Sequence, residues 1–265
     1  MIRFIKCMIL VSRPKGWKAY FWMGMLGLFQ GEPNLRAAIV AVYSLASYLA
    51  TAFAVNNLFD AASDALNPCK NNPLNKGCGK SAVYAVIANQ VLALLLVAVN
   101  TPINVFLIYL AATLLVVAYS APPIRLKGIA GLDLLSHIFY FGILLFLYGV
   151  LLSNIEMAPP VLAKASVIGI YSAFLQMRNM EKDKVYDERG GDETLSVKYP
   201  GLSRVLLYLS GAASATGAVL LLSPSLTAIL SVLLVSLLAG YWLGWERLVD
   251  SLTVLSLSLS VVRLL

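Results

Sequence analysis

Asn56, Asp60 and Asp64 follow one another at steps of four residues, and so do Asn179, Asp183 and Asp187. On a helix each such step rises about 6 Å and turns by about 40°, so each set shares one face. Oxygen-only groups at this spacing suit a hard divalent cation. Magnesium takes one or two carboxylates and fills its shell with water and substrate phosphate oxygens. Two such faces turned toward each other would hold metal ions and clamp a diphosphate between them, with the metal neutralising the charge of a departing pyrophosphate. The second set lies 123 residues after the first, member for member, and Tyr48 and Tyr171 keep the same offset. Eight of the 13 acidic residues lie in these two segments: Asp60, Asp64, Glu181, Asp183, Asp187, Glu188, Asp192 and Glu193. Solvated helix ends would explain one such cluster; two in identical register favour a shared task.

The elements that must position these acids are apolar. The 265 residues are 60% apolar and 12% charged, against about 25% charged in an ordinary soluble domain. A membrane span needs roughly 20 mainly apolar residues. Nine stretches qualify, near 17–31, 35–56, 82–100, 103–120, 133–153, 159–177, 202–222, 226–244 and 247–264. They use most of the chain, so residues 1–265 read as a single transmembrane domain with motif loops near 57–81, 121–132 and 178–201. Four spans separate the two acidic sets, so the helices that carry them run in the same direction. The expected fold is all-α and polytopic: about nine transmembrane helices in a ring-like bundle, built from two parallel four-helix repeats plus a ninth helix. Functional sites in membrane folds often lie between such repeats. With nine spans, 17 of the 20 lysines and arginines fall on one side, and only Arg36, Lys164 and Arg263 fall on the other. Cations mark the cytoplasmic side. That predicts a multi-pass protein of a prokaryotic plasma membrane, with the N-terminus and both acidic sets inside and the C-terminus outside. Residues 1–10 carry Arg3 and Lys6 and lack a cleavage site, so a retained N-terminus is expected.

Several function classes drop out. The net charge of +7 resides at membrane ends, where it meets anionic headgroups; no basic face interleaved with aromatics suggests a nucleic acid. No protein partner is called for. Cys7, Cys69 and Cys78 lack the companions of a zinc site and read as free thiols on a reducing side. His137, the only histidine, reads as a packing residue, and a Ser-His-Asp triad lacks its parts. Rival classes remain a cation transporter and a phosphatidyl-alcohol transferase. The first would place acids near span centres, and the second needs an Asp-Gly motif followed by Ala-Arg, which is absent.

The loops add detail. Pro122-Pro123 breaks the helix and presents Arg125 and Lys127 on the side of the aspartates, where cations can hold diphosphate oxygens by charge-assisted hydrogen bonds or serve as positive-inside anchors. Gly190-Gly191 reads as a turn. Taken together, the paired acidic sets, Ser12-Arg13-Pro14, Asn72-Pro73-Leu74-Asn75-Lys76-Gly77, Tyr119-Ser120-Ala121-Pro122-Pro123-Ile124-Arg125-Leu126-Lys127 and Asp187-x-x-x-Gly191-x-x-Thr194-Leu195 resemble the UbiA superfamily of intramembrane prenyltransferases. The resemblance covers most of the chain. Asn72 departs from it, standing where the family usually has arginine, with Lys70 and Lys76 as substitutes for the charge.

The resemblance implies a magnesium-dependent transfer, with manganese an acceptable substitute, from an allylic prenyl diphosphate to a lipophilic acceptor, aromatic or polyisoprenoid. It assigns Asn56, Asp60, Asp64, Asn179, Asp183 and Asp187 to the metals. Lys127, Tyr119, Arg125, Lys70, Lys76, Arg13 and Arg178 would bind the diphosphate. Phe53, Phe59, Tyr140 and Tyr171 are the aromatic candidates for shielding an allylic cation. Gly131-Leu132-Asp133-Leu134-Leu135-Ser136 is similar to members that modify carotenoids or chlorophyll precursors, while other members use quinone precursors, haem or glycerol ether lipids.

Overall fold

The structure, a computed structural model, describes residues 1–65, 67, 70–221 and 226–261. Cys69 and Arg263 lie outside the described residues. In chain order the helices are α1 (Ile2–Ser12), α2 (Lys18–Leu28), α3 (Leu35–Phe59), α4 (Ala61–Asp64), α5 (Lys80–Asn100), α6 (Ile103–Ser120), α7 (Leu132–His137), α8 (Leu144–Leu152), α9 (Pro159–Arg189), α10 (Leu195–Lys198), α11 (Pro200–Leu220), α12 (Leu226–Leu243) and α13 (Trp245–Leu259). A π-helical stretch, Ile138–Ile143, joins α7 to α8 without a break. Among the described residues there is no strand, only one isolated bridge between Ile129 and Glu193.

Helix occupies each of the nine apolar stretches. Among the described residues, five helices are long and apolar enough to cross a membrane: α3, α5, α6, the continuous Leu132–Leu152 rod and α9. The first stretch yields only the 11 residues of α2, about 16 Å at 1.5 Å per residue. α9 shows the opposite. Its 31 residues make a rod of about 46 Å, longer than a hydrocarbon core of about 30 Å. The polar turns from Asn179 to Arg189 therefore project beyond the apolar part, where their ionisable groups meet water.

The helices pack as neighbours in a ring. α3 and α5 run antiparallel, tied by Ser47 Oγ donating to Gln90 Oε1 (2.9 Å) and Arg36 donating to Asn100 Oδ1 (2.9 Å). Gln90 is buried and spends its amide on Tyr109 and Thr113 of α6, so one side chain pins three helices. α2 and α8 meet backbone to backbone. A Cβ on Gly149 would lie 2.1 Å from the Gly24 carbonyl oxygen, and one on Gly27 would lie 2.0 Å from that of Phe146. Such approach through small residues is a common way for apolar helices to associate in lipid, where burial supplies no driving force. The ring closes where Trp22 Nε1 of α2 donates to Ser258 Oγ of α13 (3.0 Å).

α1 lies outside the ring and is fastened covalently. Cys7 and Cys78 form a disulfide across 71 residues, which corrects the expectation that they are free thiols. The sequence argument relied on compartment alone. In the fold, Cys7 and Val11 on the buried face of α1 pack against Ala82 and Val86 of α5, and this brings the two sulfurs together.

Two measurements test this packing. Gly149→Ala should destabilise the purified protein by about 1–3 kcal/mol, as overpacking does, seen as a lower melting temperature. Gly201→Ala, which meets open space, should leave it unchanged. Thiol titration in denaturant should count one reactive cysteine of the three without reductant and all three with it.

Candidate active site

α3 and α9 both deliver their C-terminal ends to one cavity of about 560 Å³. The i, i+4 spacing does what the helix period requires: Asn56 and Asp60 from α3, and Asn179, Asp183 and Asp187 from α9, all line it. Asp64 does not. The chain turns at Asp60, the C-terminal cap of α3, and restarts as α4. Asp64 therefore sits behind the wall, buried, with Oδ2 accepting from Asn72 Nδ2 (3.0 Å) and Oδ1 3.5 Å from Lys70 Nζ.

Lys70 joins the two halves. Its ammonium lies 2.9 Å from Asp183 and 3.5 Å from Asp64. Burial alone would lower its pKa, but Asp183 and Asp64 outweigh that and hold it above the usual lysine value. Of the two lysines offered in place of the family arginine, Lys70 is the one at the carboxylates. Lys76 turns away to Asn71. Asn72 itself donates to the Asn57 carbonyl (2.8 Å) and caps the turn at Leu74, so it shapes the loop that carries Lys70.

Asp60 anchors the other cations. Lys127 pairs with its Oδ1, Arg125 stands 3.5 Å away, and Asn56 donates to Oδ2 (2.6 Å). Arg125 chiefly grips Asp192 with two nitrogens (3.0–3.1 Å). Its backbone is left-handed, with φ 40°, as is that of the cavity residue Arg13, with φ 48°, a conformation rare for such residues. Asp192, a cavity residue that spacing did not single out, reaches the site because Gly191 turns at φ 78° and the Asp192 amide donates to the Asp187 carbonyl (3.0 Å). Asp133 fixes this loop from below, accepting from the Leu195 amide (2.7 Å) and holding Thr194 against the cavity.

The deeper wall is aromatic. Phe53, Tyr119, Tyr140, Phe141, Tyr20 and His137 line it. Tyr119 accepts from Gln176 Nε2 (2.8 Å) and lies 5.1 Å from the Tyr140 ring. His137 is buried between Tyr20 (3.5 Å) and Ser172 (3.1 Å), the packing role expected, though its ring faces the cavity too. The wide π-helical turn lets consecutive rings, Tyr140 and Phe141, both face inward, and such turns recur at functional sites. No period-based reading finds that pair. Phe59 and Tyr171, named as aromatic candidates, stand elsewhere: Phe59 lines a different cavity, and Tyr171 donates to Asp250 (2.8 Å). Arg178 is also held apart from the cavity, by Asp250 (3.0 Å) and Glu246 (3.6 Å) on α13; a sequence gives no sign that a distant helix supplies two acids.

Four acids and four bases line the cavity: Asp60, Asp183, Asp187 and Asp192 against Arg13, Lys15, Lys70 and Lys127. The local match is uneven. Asp60 Oδ1 is buried and accepts no hydrogen bond of proper geometry, its company being ionic. Burial and the charge of Asp183 push the Asp187 carboxyl up to about 7. Among the described residues no three acids close around one point, so a protein-only cage is excluded there. Magnesium held by one or two carboxylates, water and phosphate oxygens fits this donor set.

The profile of the UbiA prenyltransferase family matches residues 19–253. This chain belongs to the UbiA prenyltransferase family. No curated protein sequence matches it. Among solved structures it is similar to a UbiA homolog from Archaeoglobus fulgidus bound to DMAPP and Mg2+, with 20% identity, TM-score 0.72, and coverage of 97% of this chain and 99% of that one. The same homolog bound to GPP and Mg2+ matches with 20% identity, TM-score 0.73, and coverage of 96% and 98%. At that identity the likeness establishes the fold.

The raised Asp187 pKa makes a signed prediction. A carboxyl raised in the folded state stabilises the fold at low pH, fully below the unfolded value of 3.8, and that stabilisation is lost as pH rises through about 7. The melting temperature of the metal-free protein should therefore fall between pH 5 and 8. Asp187→Asn should flatten that slope; an unchanged slope would overturn the assignment.

Proposed function

We propose that this chain transfers a prenyl group from an allylic prenyl diphosphate to a lipophilic acceptor in a magnesium-dependent reaction that releases pyrophosphate. The observation that carries the reading is the convergence of Asn56 and Asp60 with Asn179, Asp183 and Asp187 on one cavity that is also lined by cations and aromatic rings. Family membership supports it, as does the Archaeoglobus homolog having been solved with DMAPP or GPP together with Mg2+.

Asp60, Asp183 and Asp187, with Asn56 and Asn179, would hold magnesium, and Asp64 supports them from behind through Lys70. The metal supplies Lewis-acid stabilisation of charge on the leaving diphosphate. Lys127, Lys70 and Arg13 would donate to phosphate oxygens, a role supported by their presence in the cavity lining. Arg125 orients Asp192 and Asp60. Tyr119, held by Gln176, fixes the border between charged mouth and apolar depth. The rings of Phe53, Tyr140 and Phe141 offer π faces to an allylic cation and exclude water that would otherwise capture it. Pyrophosphate leaves with the bonding electrons, the acceptor forms the new bond to the allylic carbon, and the acceptor's proton goes to solvent or a nearby base. The acids stand at helix ends beside cations, which suits a substrate diphosphate better than ion passage through the bilayer centre.

Asp60→Ala and Asp183→Ala should each abolish magnesium-dependent pyrophosphate release from a prenyl diphosphate and acceptor panel, while the variants still purify as folded protein. Normal turnover in either variant would sink the proposal.

A further inference from the structure

α3 and α6 present side chains on two sides. Phe53, Asn56 and Tyr119 face the acid cavity. Thr51, Val55, Thr113 and Val117 line a second cavity of about 610 Å³, closed by α5. The two lie back to back across the α3–α6 seam. The second is apolar except for a few uncharged groups and one ion, Lys80, at the start of α5. Gln90, at its depth, is already saturated by Ser47, Tyr109 and Thr113. Ten helical residues separate Lys80 from Gln90, a depth of about 15 Å, or half of a hydrocarbon core of about 30 Å. Val91 and Tyr84, on its rim, are 52% and 57% exposed, so the groove opens sideways toward lipid.

Its mouth is basic, because Lys80, exposed at the start of α5, is the cation of its lining. Lys80 has no ion-pair partner among the described residues. Depth of one leaflet, an apolar lining and an unpaired basic mouth together specify the occupant.

We propose that this groove binds one anionic phospholipid of the adjacent leaflet, its phosphate on Lys80 and one acyl chain lying between α3, α5 and α6. The lipid backs the helices that carry Asn56, Asp60 and Tyr119, and it is distinct from the prenyl substrate on the other side of the seam.

Native mass spectrometry of the protein from micelles holding equal phosphatidylglycerol and phosphatidylcholine tests this. The wild type should retain one phosphatidylglycerol. Lys80→Glu should lower that retention about tenfold, since a juxtamembrane cation contributes measurably to anionic lipid binding. Val91→Trp, which fills the groove from its exposed rim and spares the buried core, should lower retention of either lipid. Equal retention of both lipids by the wild type, or unchanged retention in both variants, would overturn the proposal. Displacement of the lipid by excess prenyl diphosphate would also overturn it, by assigning the groove to substrate.

Discussion

A charge is costly inside a bilayer, and that cost organises this molecule. Helices whose walls face lipid can present ionisable groups only where they end or face inward, so the chemistry-bearing residues collect at helix termini and in the loops beside them. α3 ends on Asp60, α6 ends just before the Arg125–Lys127 turn, and α9 runs three polar turns beyond its apolar part. The apolar interior is thereby left to aromatic rings and a few saturated polar groups such as Gln90 and His137. A cavity charged at one end and aromatic at the other follows from this sorting.

The same constraint dictates how the mouth is stabilised. Carboxylates brought from two helices repel one another, and loop cations match three of them: Lys70 between Asp64 and Asp183, Lys127 and Arg125 on Asp60. Loops in turn need rigid support. Asn72 binds both the Asn57 carbonyl and Asp64, Asp133 binds the Leu195 amide, and Asp192 binds Arg125. Side chains that never reach the cavity thus set the positions of those that do.

Much of the site was legible because helical spacing is a strong constraint. The i, i+4 runs placed Asn56, Asp60, Asn179, Asp183 and Asp187 on inward faces, and the 123-residue offset marked the two runs as partners. The break at Asp60, which moves Asp64 behind the wall, was not legible, since nothing in Phe59-Asp60-Ala61 forbids a continuing helix. Tyr140 and Phe141 were half seen, because a π-helical turn departs from the period on which the reading depends. Arg178 and the Cys7–Cys78 disulfide depended on which distant segments pack together, information that a local pattern does not carry.

Lys70 sits on a loop between two helices that are themselves fixed, and with Lys127 it leaves the lining with as many bases as acids. Entry into such a site is an exchange of counter-ions rather than an addition of charge. A bare metal ion would strip the carboxylates of their ammonium partners and offer those ammoniums nothing in return. A metal that arrives with a diphosphate offers them new oxygens. On the proposed function, such a balanced lining would favour the paired ligand over either member alone, because only the pair returns partners to both the carboxylates and the ammoniums.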